Sequence, residues 1–308
     1  MRGIFRAAAL LTFLAVSVGA VVCATGSGAA CPTWPGCHPG DVVPGWQLNP
    51  VIEFGHRAVA VSSGPAILLA ALFGLRLHRA GVAVRVLPWV ALAGAVASGA
   101  FGRAAILYGI SAWMVAVDVG CALTAMSVMA VAAVRVGGPA RTAVAGEPGA
   151  ARVVTRRAVA ATGVLIGLHV TGILVAGTGS FTRCLGWPMW QLVAADRLPW
   201  LQVVRLGLAA VAAVLILATV TAARRVARLH RWAGAVGALL ATELAVGLVL
   251  RERGLVTGLA AAYSVTAAAL LWSLALLAAV ASRPGPDAAD ADAGVIDLSG
   301  ISCRSTVG

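Results

Sequence analysis

The sequence predicts an all-α, polytopic membrane protein whose eight transmembrane helices form two pseudo-symmetric four-helix halves. Three observations carry that prediction. Sixty per cent of residues are apolar and 11% charged, against roughly 25% charged in globular chains, and mean hydropathy is +0.95. Apolar runs long enough to cross a bilayer as helices recur along the chain. Finally, one polar stretch nearly repeats. Thr25-Gly26-Ser27, followed by Cys31-Pro32-Thr33-Trp34-Pro35-Gly36-Cys37, returns as Thr178-Gly179-Ser180, with Cys184, Trp187 and Pro188 each displaced by the same 153 residues. Trp190 stands where Cys37 stood. Each copy follows one apolar run and precedes another, as expected of a membrane protein built from repeats.

The spans are expected near 5–24, 52–75, 86–102, 112–134, 158–177, 200–223, 232–250 and 255–281. Residues 1–134 make an N-terminal half, 135–157 a linker rich in Gly, Pro and Arg, and 158–281 a C-terminal half. Residues 282–308, with Asp287, Asp290, Asp292 and Asp297 among scattered Gly and Pro, read as a disordered tail. Span 1 has a rival reading as a cleaved signal peptide, with Met1 to Arg6 as its basic region. An uncleaved span keeps the two halves balanced and is the reading adopted.

All 23 basic residues are arginine, and the net charge is +12. They cluster in alternate loops: Arg76, Arg79 and Arg85; Arg135, Arg141, Arg152, Arg156 and Arg157; Arg224, Arg225, Arg228 and Arg231. Residues 25–50 have none. That alternation is the positive-inside pattern, not a nucleic-acid surface. It assigns a multi-pass protein of the cell membrane with both termini cytoplasmic and both Cys-bearing loops outside.

Several residues could carry chemistry. Cys31 and Cys37 lie in a loop on the oxidising side, where a bridge can form and persist. Such a bridge would be structural or redox-active, and two unpaired thiols in a turn remain the alternative. Cys184 has no local partner. Cys23 and Cys121 lie in spans and read as small packing residues. Glu53 and His56, at i and i+3, share a helix face at the start of span 2, and Arg57 can pair with Glu53 at i+4. The imidazole could bind iron and the carboxylate could relay protons. A polar cluster anchoring a helix end is the plainer reading. Asp118, His169 and Glu243 are ionisable residues within spans 4, 5 and 7, where function and simple hydrogen bonding compete.

The run from Thr25 to Cys37 and then Ile52-Glu53-Phe54-Gly55-His56-Arg57 closely resembles the haem A synthase family, its actinobacterial members above all. The resemblance covers spans 1–8 and stops at the tail. It implies eight helices in two halves, and oxidation of a haem O methyl group to the formyl group of haem A for cytochrome oxidase. It also implies that the first half receives haem O as substrate while the second holds a haem b cofactor, each facing a pair of histidines. Carried over by residue, His56 is the first histidine and haem-iron ligand, Glu53 the catalytic carboxylate, Arg57 its haem-side neighbour, and Cys31 with Cys37 the outer-loop pair.

No histidine occurs in spans 4, 6 or 8. The expected positions hold Asp118 or a neighbour, Val203 or Val204, and Tyr263 or Ser264. His169 and Tyr263 are the in-span groups able to replace the missing second-half ligands. Two readings follow from the resemblance: a haem A synthase-like oxidoreductase, or a degenerate relative that binds haem or assists oxidase assembly without catalysis. Membrane lipid surrounds either one, with haem O synthase or oxidase assembly proteins as candidate partners. A third class, a small-solute transporter using Asp118, Glu243 and His169, lacks paired broken helices at matched positions. Cysteine-accessibility labelling checks the orientation: positions in 26–50 should label from outside and those in 135–157 from inside, and the reverse would overturn it.

Overall fold

The computed structural model describes residues 1–77, 81–109, 111–137, 148–175, 184–188, 199–254 and 256–283. Eight helices in this set are long and apolar enough to span a bilayer. They are α1 (Arg2–Thr25), α2 (Leu48–Arg76), α3 (Gly81–Tyr108), α4 (Ala112–Arg135), α5 (Pro148–Val175), α6 (Pro199–Arg224), α7 (His230–Arg253) and α8 (Thr257–Ala281). No strand occurs among the described residues. Helix is the expected outcome, since an apolar span must satisfy its own backbone N–H and C=O groups in hydrocarbon.

Three helices have bounds that differ clearly from expectation. α2 starts at Leu48, so Glu53 sits more than a turn inside the helix instead of opening it. α3 extends beyond both expected ends, to Gly81 and Tyr108. α5 begins at Pro148, so residues 148–157, assigned to the linker, are helical. Proline suits a first helical position, where its missing N–H costs nothing, and Arg152, Arg156 and Arg157 can extend toward water from a helix end. The rest of that linker from residue 138, and the proposed disordered tail from residue 284, lie outside the described residues.

In each half, consecutive helices pack side by side and the last returns to the first: α1–α2–α3–α4–α1 and α5–α6–α7–α8–α5. The diagonal pairs α2/α4 and α6/α8 have no substantial contact. The halves join through α1 with α8, α4 with α5, and α4 with α8. The same neighbour pattern therefore recurs in the first four and the last four helices. α8, in the middle, is the most enclosed helix and α3 the least. The sequence of α8 suits its place, because its many alanines let neighbouring backbones approach. Packing of α1 against α2, α4 and α8 makes it an integral member of the bundle.

A disulfide between Cys23, near the C-terminal end of α1, and Cys184, between α5 and α6, ties the halves together. This corrects two expectations: Cys23 is not a mere packing residue, and Cys184 has a distant partner. Cys121 is the free cysteine among the described residues. A link across 161 residues restricts the unfolded chain by up to about 5 kcal/mol. Peptide mapping without reductant should therefore recover Cys23 linked to Cys184. Cys184→Ser should lower the thermal midpoint, and an unchanged midpoint would remove the bridge as a source of stability.

Candidate functional site

Gly26, with φ of 67°, ends α1 in the left-handed conformation that glycine adopts without strain. The Thr25 hydroxyl, 2.6 Å from that of Ser27, helps fix the exit of the chain. The following loop is closed by a Cys31–Cys37 disulfide, and both sulfurs are buried. Gly36 is needed there, since a Cβ would stand 3.0 Å from the Asp41 carbonyl oxygen. His38 and Asp41 exchange backbone hydrogen bonds and close the next turn. The guanidinium of Arg103, on α3, covers the Trp34 ring at 5.2 Å.

Arg57 joins this loop to α2. Its Nε donates to Glu53 Oε1 at 3.0 Å, Nη1 to the carbonyls of Thr33 and Gly36, and Nη2 to the carbonyl of Cys31. Arg57 and Glu53 are both buried. The planar fork of arginine can reach several fixed acceptors at once, which an ammonium cannot. One carboxylate oxygen, Glu53 Oε2, has no partner among the described residues, and neither does His56 Nδ1. The His56 ring lies against α1 at Gly19, where a Cβ would come within 2.9 Å of Cε1. Glycine there is what admits the ring.

A second clamp stands in the other half. Arg205, on α6, is completely buried. It donates to the carbonyls of Gly186 and Leu168 and to Gln202 Oε1. Gly186 is the repeat counterpart of Thr33; Arg205 lies 148 residues after Arg57, five short of that displacement, yet makes the matching contact, and each arginine holds the Cys-bearing loop of its own half. The spacing then sets Leu201 at the position of Glu53 and Val204 at that of His56. Around Arg205 lie His169 from α5, Glu243 from α7 and Tyr263 from α8, all essentially without exposure. The Tyr263 hydroxyl faces the Glu243 carboxylate and the Trp187 backbone. Both His169 ring nitrogens lack partners among the described residues.

Comparison with known proteins finds haem A synthases. The chain is 28% identical over 289 residues to a haem A synthase of Symbiobacterium thermophilum, covering 84% of this chain and 91% of that one. It is 32% identical over 115 residues to the haem A synthase of Alkalihalophilus pseudofirmus, covering 37% and 38%. For the haem A synthase of Shouchella clausii the figures are 36% over 107 residues, covering 33% and 34%. No family model matches the sequence. The chain is thus similar to haem A synthases, over most of its length in the first case, at the distance of a divergent relative.

The two halves differ in their fitness for the haem that this likeness suggests. Iron requires an imidazole, thiolate, thioether or phenolate from the protein. In the first half His56 supplies a buried ring nitrogen that nothing else engages. Asp118, on α4, accepts a hydrogen bond from the Ser98 hydroxyl of α3, and no described contact joins it to His56. In the second half Val204 cannot coordinate, and the Ser264 hydroxyl is bonded to the Ala260 carbonyl. His169 is enclosed beside Leu165 and Leu168 in a continuous core that also holds Tyr263. Among the described residues, His169 and Tyr263, the two replacement ligands expected from sequence, lie in a packed polar core with Arg205, and this enclosed arrangement leaves less room for a haem than the surroundings of His56.

Sequence reasoning missed Arg205 altogether, although an arginine within the start of an otherwise apolar span was a readable signal. Removing one partner of a buried ion pair costs about 3–5 kcal/mol. Arg57→Gln should therefore lower stability by about that amount and expose the outer loop. The Cys31–Cys37 bridge of the variant should be reduced by dithiothreitol faster than in the parent, and equal rates would show that Arg57 does not hold the loop.

Proposed function

We propose that this protein is a haem A synthase-like membrane oxidoreductase whose first half receives haem O and oxidises one of its methyl groups to a formyl group. The observation that carries the reading is the buried Glu53–Arg57 pair, which holds the disulfide-closed loop over the end of α2 beside a His56 imidazole that bonds the Ala15 backbone and leaves Nδ1 without a partner among the described residues. The full-length likeness to a haem A synthase supports it.

The haem supplies the oxidising chemistry when bound, and the residues of this chain position it and handle protons. His56 offers a neutral ring nitrogen to iron. Gly19 leaves room for that ring on the face of α1. Glu53 keeps one oxygen on Arg57 and the other open, so Oε2 is available to hold or pass a proton. Arg57 fixes the carboxylate and, through three loop carbonyls, the lid above it. The Cys31–Cys37 bridge shapes that lid. On this reading the termini are cytoplasmic and the lid lies on the outer face.

A second reading rests on Val204 and the packed polar core of the other half. A chain without a second-half haem could bind haem O, or assist oxidase assembly, without converting it. Expression in cells lacking their own haem A synthase separates the two. Haem A extracted with the purified protein supports the enzyme, whereas bound haem O without haem A selects the second reading.

In either case the purified protein should carry no more than one haem per chain. His56→Ala should remove most of it, Gly19→Ala should weaken retention by displacing the ring, and His169→Ala should leave the haem content unchanged. Haem lost from the His169 variant but kept by the His56 variant would refute the assignment to the first half.

A further inference from the structure

His56 takes its seat from α1, not from its own helix. Its ring bonds the Ala15 backbone and lies over Gly19, where a Cβ would come within 2.9 Å of Cε1. Ala15, Gly19 and Cys23 follow one another at four-residue spacing, so they run along one side of α1, a turn apart. The half-buried Cys23 therefore marks that side one turn beyond the place where the ring rests. Successive turns of a helix are tied by their i to i−4 hydrogen bonds and move together. A shift of α1 at Cys23 is felt at Gly19.

What holds Cys23 belongs to the other half. Its partner Cys184, at a Cα separation of 5.3 Å, is followed by Leu185 and Gly186. The Gly186 carbonyl accepts from Arg205 Nη2 at 3.2 Å. Between these two fixed points Leu185 stands at φ 63°, the one non-glycine residue with positive φ among the described residues. A leucine keeps that conformation only where its surroundings impose it. Leu185 is buried and shares an apolar cluster with Ala20, Cys23 and Ala24 of α1. The strained segment thus acts on the last turns of α1 through one covalent bond and one packed contact.

We propose that the Cys23–Cys184 bridge is a positioning element for His56: anchored beside Arg205 in the second half, it sets the register of α1 that seats the imidazole in the first. Opening the bridge lets Leu185 relax and frees the end of α1, and Gly19 moves from beneath the ring. The consequence for haem rests on the reading of the first half as a haem site. If about a tenth of the chains keep the seated ring, apparent haem affinity falls about tenfold.

Diethyl pyrocarbonate, which acylates accessible neutral imidazoles, reads the seat directly in the full chain purified without haem. Peptide mass analysis should show His56 modified about tenfold faster in Cys23→Ser and in Cys184→Ser than in the parent. The exposed His230 should react at a constant rate and the buried His169 should stay slow. Cys121→Ser, which removes the free cysteine, should match the parent. Brief dithiothreitol treatment of the parent, stopped while Cys31 is still linked to Cys37, reduces the same disulfide to two thiols. It should reproduce the acceleration without a substitution. Gly19→Ala should speed labelling of His56 in the parent and add less in the Cys184→Ser background, since both changes act on one seat.

Equal His56 labelling with the bridge closed and open would overturn the proposal. So would an equal acceleration at His169 or in Cys121→Ser, which marks general loosening, or full additivity of Gly19→Ala with Cys184→Ser. Haemin titration separates this inference from the haem reading. Bridge variants that bind haemin about tenfold more weakly than the parent support both. Faster His56 labelling in a chain that binds no haemin keeps the positioning role and removes the haem reading. Unchanged labelling in a chain that binds haemin through His56 removes the positioning role alone.

Discussion

The arginine clamp from the second helix of each half to its own Cys-bearing loop is the interaction on which the rest of the site depends. A buried guanidinium is costly unless its N–H groups find acceptors. Arg57 meets that demand with one carboxylate and three loop carbonyls. The demand works in both directions, because a short loop closed by Cys31–Cys37 has backbone carbonyls that must themselves be satisfied once buried. Helix and loop therefore fix each other. His56 precedes Arg57 in the chain, so anchoring the guanidinium also limits the direction of the imidazole.

The second half uses the same device on different chemistry. Arg205 has no carboxylate at the position of Glu53, which is Leu201, and turns to neutral oxygens of Leu168, Gln202 and Gly186. Retaining the clamp while losing the histidine beside it separates two roles that coincide in the first half. Holding the outer loop is needed for packing in both halves. Presenting an imidazole is needed only where iron is to be bound. Val204, on a half-exposed face of α6, meets the first need without the second.

Much of this was legible in the sequence, and the part that was not has a physical explanation. Eight spans could be read because an apolar helix must cross about 30 Å of hydrocarbon. The Glu53–Arg57 pair followed from i,i+4 spacing alone. The Cys23–Cys184 bridge did not, since 161 residues separate its ends and only packing of α1 against the other half brings them together. Residues 148–157 looked like linker because arginine is common in loops, yet alanine, valine and arginine also sustain a helix that ends at an interface. His169 was recognised as an intramembrane ionisable residue, but its enclosure by leucine and tyrosine from other helices is a tertiary fact.

The two disulfides and the two clamps lie in one layer at the same face of the bundle, and this has a consequence for how the halves can move. Cys23 closes α1 just before the loop that Arg57 holds, while Cys184 lies two residues before the carbonyl that Arg205 holds. A covalent bond thus connects the first clamp to the second through a few residues of backbone. Rocking of one half against the other, as in alternating-access transporters, would have to stretch that connection or break a buried arginine network. Such a layer suits a protein that keeps a fixed outer lid over a membrane-embedded group. It argues against a solute pathway through Asp118, Glu243 and His169, three residues that the fold distributes over α4, α7 and α5.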